Sequence, residues 1–459
     1  MKFFRKCFLC QIGKFPLSFL IVVLFLGILS IQRCKLELNQ KPSPVLFRLI
    51  QSSGNASGVE IVATPTFNPT AGLYNNAQNI SLVTTTTGAT IYYTTDGSTP
   101  TTSSSVYSSN LGHIWFLIGK TVKVFATKSG FTDSSVLSGI FSYPPLKTGQ
   151  TICYDTTGTT GNIVACGATK EDGESQTGVA RGYTDNGDGT ITDNATGLVW
   201  QKCYKGRNND ATCSDNGGVT DTSTWSSALT DCSSLSLASK TWRLPSRHEL
   251  ETIPDYSLSN PAINLTFFPA TTAAGNYWSS TTDAANAANA WYVGFGGGDV
   301  NPLAKTAPNS VRCVTGSSKD LILNFTDNGD FTLKDNSTGL IWQKCFKGRN
   351  NDATCSDDGG VSDTSTWSSA ITYCSGLTIA GRIWRLPNFN EFKTIVDSTK
   401  VTGPTINTIA FPSTASGDYW SSTTTGTTTY AWLVNFSNGS LGGALKTNGT
   451  MRVRCVSGP

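Results

Sequence analysis

Four cysteines recur at a constant offset of 142 residues: Cys203, Cys213, Cys232 and Cys313, then Cys345, Cys355, Cys374 and Cys455. The intervals within each set are 10, 19 and 81 residues. A spacing kept at four positions marks a tandem duplication, so the chain carries two copies of one domain. Cysteines in even sets also point to folding outside the reducing cytosol. The duplication gives an internal control: any residue proposed for chemistry in one copy can be compared with its counterpart.

A length of 459 residues allows about three domains of ordinary size. Charged residues are only 14 % while Gly, Ser and Thr abound, which suits β-rich, turn-rich extracellular modules better than helical enzymes. The 22 Phe, 14 Tyr and 11 Trp supply enough apolar surface for packed cores. The net charge of +3 is misleading, because residues 1–34 hold five basic residues and no acid, leaving −2 for the remainder. That balance excludes a nucleic-acid footprint.

Residues 1–34 read as an export segment. A basic start precedes an uncharged stretch from Phe15 to Gln32 with an apolar centre at 19–26. Its length fits either a cleaved signal peptide or an uncleaved membrane anchor. Cys34 is a candidate lipidation site, although Arg33 before it is a poor match to the small residue that such processing prefers. The expected location is the cell surface, the outer membrane or the medium, with membrane contact only through this segment or a lipid.

Residues 35–62, with Pro42, Pro44 and a Ser/Gly-rich run, predict a tether. Residues 63–145 alternate like a small β-sandwich. Ile91–Thr94 and Val122–Ala126 read as strands, and Asp96–Pro100 as a turn. The runs "GATIYYTTDGSTPT" and "KTVKVFATKSGFTDSSV" resemble the chitobiase/β-hexosaminidase C-terminal-type module, which implies an immunoglobulin-like accessory domain. The catalytic barrel of such enzymes has no counterpart here.

Residues 148–317 and 318–459 hold the two copies. The first has an extra lead-in, in which Cys153 and Cys166 would close a hairpin. Each copy then shows a hairpin, a short helix and a "WRLP" run leading into a second helix. Trp225, Ala228, Leu229 and Cys232 form the apolar stripe of the first helix, repeated as Trp367, Ala370, Ile371 and Cys374. Ser246 with Glu249, and Asn388 with Glu391, have capping-box spacing. Closing strands are expected at 277–280, 290–293 and 311–314.

The hairpin "GDGTITDNATGLVWQ", its partial repeat "STGLIWQ", and "WRLP", "YWSS" and "VRCV" in both copies resemble a bacterial domain family. It is typified by the C-terminal domain of the Legionella collagen-like adhesin. The resemblance implies an α+β C-type-lectin-like fold and a surface-exposed binding module, associated in that adhesin with attachment to polyanionic host glycans. In such a fold Cys232 with Cys313 would tie the domain ends together, and Cys203 with Cys213 would close a local loop. Pairing of Cys203 with Cys313 remains open. The expected architecture is therefore multidomain: an immunoglobulin-like β-sandwich followed by two disulfide-stapled lectin-like domains.

Chemical sites are sparse. Asp185-Asn186-Gly187-Asp188-Gly189 looks like a calcium loop but lacks EF-hand spacing, and Gly189 becomes Phe331 in copy two; a hairpin turn explains it. Lectin-type calcium motifs do not appear, so no metal or cofactor is expected. Only two histidines exist, and His248 is replaced by Asn390 in copy two, which predicts a solvated helix residue rather than a base. The six tryptophans Trp200, Trp242, Trp278, Trp342, Trp384 and Trp420 are read as core. Arg243, Arg385, Arg312 and Arg454 are read as structural. No enzyme activity is expected.

Binding residues are sought where the copies diverge, since loops are freer than framework positions. The divergent segments at 294–310 and 435–452 contain Asp299, Lys305 and Lys446. A second candidate set lies around the short disulfide loop: Lys202, Lys205 and Arg207, with Lys344, Lys347 and Arg349. The expected function is adhesion to host or matrix glycans or proteins. The alternative is a structural envelope spacer without a ligand.

Overall fold

The computed structural model describes residues 59–459 except 220, 317, 320, 321, 361 and 459. The expected export segment, Cys34 and the tether up to residue 58 lie outside the described residues. Among the described residues, no helix is long and apolar enough to cross a membrane.

Alternating side chains build the first domain. Thr121–Thr127 buries Val122 and Val124 on one face, with Lys123 between them left half-exposed. This strand pairs with Thr90–Thr94 and Leu137–Ser142 in a five-stranded sheet, which faces a three-stranded one. The two layers form the expected sandwich.

Each copy begins with a hairpin, 183–185 with 190–193 and 325–327 with 332–335, followed by a third strand bearing Trp200 or Trp342. Helices are few and short: α1 at Asp172–Ser175, α2 at Trp225–Ser233, α3 at Arg247–Leu250, α4 at Trp367–Ser375 and α5 at Phe389–Lys393. Both capping boxes are present, at Ser246/Glu249 and Asn388/Glu391. Each buried cap carboxylate also binds the arginine of "WRLP": Glu249 with Arg243 at 2.7 Å, and Glu391 with Arg385 at 2.6 Å. Disulfides join Cys153–Cys166, Cys203–Cys213, Cys232–Cys313, Cys345–Cys355 and Cys374–Cys455. The six tryptophans read as core are all buried.

The expected strand at 311–314 is instead split. Asn309–Ser310 lies in one sheet and Val314–Thr315 in another, while Val311, Arg312 and Cys313 cross between them. Buried Arg312 dictates the crossing by donating to the Gln201 and Lys202 carbonyls and to Thr271 Oγ1; Arg454 repeats this with Gln343, Lys344 and Thr414.

The copies do not project as separate modules. Asp299–Ala304 of copy one pairs antiparallel with Leu441–Leu445 of copy two through Val300 and Leu441, making one ten-stranded sheet. The divergent segments expected to be display loops are thus the strands that join the copies. Equivalent strands paired antiparallel are related by a local twofold axis, and the strand order reads the same from either end of the sheet. Val300 and Leu441 are fully buried in a core running through the sandwich and both copies. Such burial contributes about 1.5–3 kcal/mol per side chain.

The segments entering the copies are exchanged across this axis. Thr177, at the end of the lead-in of copy one, donates through Oγ1 to Glu391 of copy two at 2.8 Å. Its equivalent Lys319, at the start of copy two, donates its backbone N–H to Glu249 of copy one at 2.8 Å. The sandwich docks on both copies: Tyr143 N–H donates to Ser337 O and Tyr143 Oη–H to Ala195 O. Residues 59–459 accordingly pack as one unit.

Candidate functional site

The basic residues of the short disulfide loops are already paired. Lys202 donates to Asp185 at 2.7 Å and Lys344 to Asp327 at 2.8 Å. Asp185 also accepts from Gly187 N–H, as a hairpin turn requires. Arg207 bridges Asp215 and Asp221, and Arg349 bridges Asp357 and Asp363. Lys205 approaches Asp231 at 4.0 Å, whereas Lys347 donates to the Ser362 and Thr364 carbonyls. These six cations are neutralised or bound by groups of their own copy.

The other candidates sit at the joined sheet. Asp299 is half-buried at the start of the seam strand; burial raises its carboxyl pKa, and Asn301 donates to it at 3.1 Å. Lys305 lies 4.1 Å over the Trp225 ring and donates to Thr282 Oγ1 at 2.9 Å. Lys446 keeps the same relation to Trp367, also at 4.1 Å, but is 1 % exposed. What buries it is the lead-in: Tyr154 covers it at 5.6 Å, and Glu171 supplies the opposing charge. Burial lowers the Lys446 ammonium to about 8 and raises the Glu171 carboxyl to about 7.

A charged cluster occupies the local axis. Arg247 donates through Nε to Glu251 at 2.6 Å and stacks 3.8 Å over Trp291. Lys393, the copy-two equivalent of Glu251, donates to the Glu251 carbonyl and to Tyr256 Oη. Burial lowers Lys393 to about 7. Although burial opposes it, Arg247 and Lys393 hold the Glu251 carboxyl below its ordinary value. His248 is not the solvated residue expected from the sequence. It stacks parallel to Trp115 of the sandwich at 5.9 Å, and burial pushes its imidazole down to about 4. The sandwich, unseen by any single-copy comparison, creates that environment.

A groove of about 950 Å³ runs between the sandwich and copy one. Tyr93 and Phe116 supply aromatic faces; Lys120, Lys240, Arg243 and Lys319 supply cations, and among the described residues the lining contains no carboxylate. Arg243 is held by Glu249, and Lys319 donates to Ile118 O at 3.1 Å. Lys120 and Lys240 have no ion-pair partner among the described residues. Gly197 shapes the inner end: its φ of 71° is left-handed, and a Cβ there would lie 2.8 Å from the His113 ring. Sequence reasoning missed this groove because its cations come from three segments, around Lys120, Lys240 and Lys319, which lie 120 and 79 positions apart with no motif linking them.

Comparisons with known proteins agree with the domain order. The model of the Lcl C-terminal domain matches residues 189–315 and 331–457, more than half of the chain. That of the chitobiase/beta-hexosaminidase C-terminal domain matches residues 69–138. No curated protein and no solved structure matches the chain.

Proposed function

The chain belongs to the Lcl C-terminal domain family, and on that premise we propose that it is an exported, non-catalytic surface module that binds anionic glycans of host or matrix. Each copy is read as a C-type-lectin-like scaffold, and the sandwich as an accessory domain that completes the site. The observation carrying this reading is the groove between sandwich and copy one. It combines two aromatic faces with Lys120 and Lys240, and among the described residues it has no carboxylate to repel an anion. Sugar rings present apolar faces that stack on Tyr or Phe, while sulfate or carboxylate groups meet Lys120 and Lys240 as charge-assisted hydrogen-bond partners.

The test is titration of the purified protein with size-defined heparin oligosaccharides, with neutral dextran as control. Saturable binding that weakens with salt is expected. The double variant Lys120→Ala/Lys240→Ala should lose about tenfold or more, corresponding to at least ~1.4 kcal/mol. Absence of saturable binding, or binding indifferent to both substitutions, would reject the groove as the site.

A further inference from the structure

The two ends of the local twofold are not equally filled. On the copy-two side, the lead-in chain lies in a channel between the copies. Asn390 Nδ2 donates to Leu146 O at 2.8 Å, Tyr256 N–H donates to Thr148 O at 2.8 Å, and the Gln150 side-chain amide donates to the Tyr256 and Thr424 carbonyls. Two carboxylates complete the plug. Thr423 Oγ1 donates to Asp172 at 2.8 Å, and Thr424 Oγ1 donates to Glu171 at 3.1 Å.

The equivalent positions on the copy-one side are Thr281 and Thr282 for Thr423 and Thr424, His248 for Asn390, and Ser398 for Tyr256. They line a cleft of about 440 Å³ that no described residue fills. Its threonines match those that hold the carboxylates of the plug opposite. Thr281 Oγ1 accepts from Arg247 N–H, just as Thr423 accepts from Phe389 N–H, so each hydroxyl keeps its proton for a further acceptor. Thr282 accepts from Lys305, which likewise leaves its own proton available.

Arg247 lines the cleft, is 5 % exposed, and has a buried Nη1 with no hydrogen-bond partner among the described residues. Glu251 and Asp397 also line the cleft, but Glu251 is already paired with Arg247 at 2.6 Å, Lys393 lies beside it, and Asp255, the equivalent of Asp397, borders the filled channel without excluding the acidic plug. The cleft is thus built for the kind of segment that already occupies its twin.

We propose that the cleft between Thr281, Thr282 and Arg247 of copy one and the 396–399 turn of copy two binds an acidic peptide segment of a partner protein, its carboxylates taken by the threonine hydroxyls, Lys305 and Arg247. The occupant follows from the internal template: an extended backbone beside the 396–399 turn and adjacent carboxylates against the threonines. This site is separate from the sandwich groove and does not depend on glycan binding there.

The probe is a synthetic, disulfide-closed, fluorescein-labelled peptide of residues 146–177, added to the full protein and followed by anisotropy. One saturable site per chain is expected. The peptide carrying Glu171→Gln and Asp172→Asn should bind at least tenfold more weakly. Ser398→Trp and, from the opposite wall, Ala284→Trp should each plug the cleft and weaken binding at least tenfold, with the unfolding temperature showing that each variant folds. Lys120→Ala/Lys240→Ala should leave peptide binding unchanged.

Absence of saturable binding, equal affinity for the neutralised peptide, or indifference to both tryptophan plugs would overturn the proposal. Displacement by a uronate oligosaccharide would also overturn it, by assigning the carboxylate site to a glycan. Such a result would leave the groove reading to be judged by its own lysine variants.

Discussion

Copy one and copy two share a framework yet face different neighbours. Lys446 over Trp367 is sealed by Tyr154 and Glu171, whereas the same pair in copy one, Lys305 over Trp225, remains half-exposed. Glu251 and Lys393 occupy the same position in the two copies with opposite charge, and they meet near the axis. Duplication therefore did not yield two identical sites. One insertion, the lead-in, fills a channel beside one copy, while no described residue fills the matching cleft beside the other.

The comparison can be broken first at its framework. If the copies are equivalent scaffolds, replacing Cys232 and Cys313 by Ala should cost about 4–5 kcal/mol in the chain-entropy model, and replacing Cys374 and Cys455 should cost the same. Urea unfolding under non-reducing conditions measures both. A difference of several kcal/mol would show that the lead-in, not the staple, holds copy two together.

Next comes the seam. Leu441 is buried against copy one, and Leu441→Ala should destabilise by about 2–5 kcal/mol. The loss should appear in both copies together, read by hydrogen exchange at 289–294 and 430–435. Loss confined to copy two would mean that the ten-stranded sheet is not cooperative.

A smaller effect sharpens the contrast at the lead-in. Gly158 has a φ of 73°, and a Cβ there would collide with the Lys446 side chain. Gly158→Ala should cost about 1–2 kcal/mol from the backbone conformation alone. It should loosen residues 150–176, as measured by limited proteolysis, without changing exchange in copy one.

The smallest effect is pH-dependent. The folded values of Glu171, at about 7, and Asp172, at about 6, lie above ordinary carboxylate values because of burial. Their contribution to docking is fully present below pH ~4 and is lost as pH rises through ~6–7. Lys446, lowered to about 8, has the opposite sign: its contribution is present above its ordinary pKa and lost as pH falls through ~8. Lead-in protection, corrected for intrinsic exchange, should therefore be weakest near pH 7–8. A maximum there would contradict this account of the buried charges.

Much of the local structure was legible. The Trp225–Cys232 stripe gave a helix at 225–233 because an i, i+3, i+4, i+7 pattern can bury one face only as a helix. Ser246/Glu249 and Asn388/Glu391 formed their capping boxes because those interactions are local. His248 could not be placed, since Trp115 lies 133 positions earlier and belongs to another domain. Segments 294–310 and 435–452 were misread as display loops. Their small polar residues suit a solvated loop as well as an edge strand, and only a partner edge selects between the two.

The amino-acid order by itself determined the duplication, the candidate cysteine staples and the apolar faces of each element, because these follow from spacing within one copy. The tertiary structure alone decided which edges joined, which entering segment crossed to which copy, and which of two equivalent channels was filled. Those outcomes depend on shape and charge matching between segments far apart in the chain, and no periodicity within either copy records them.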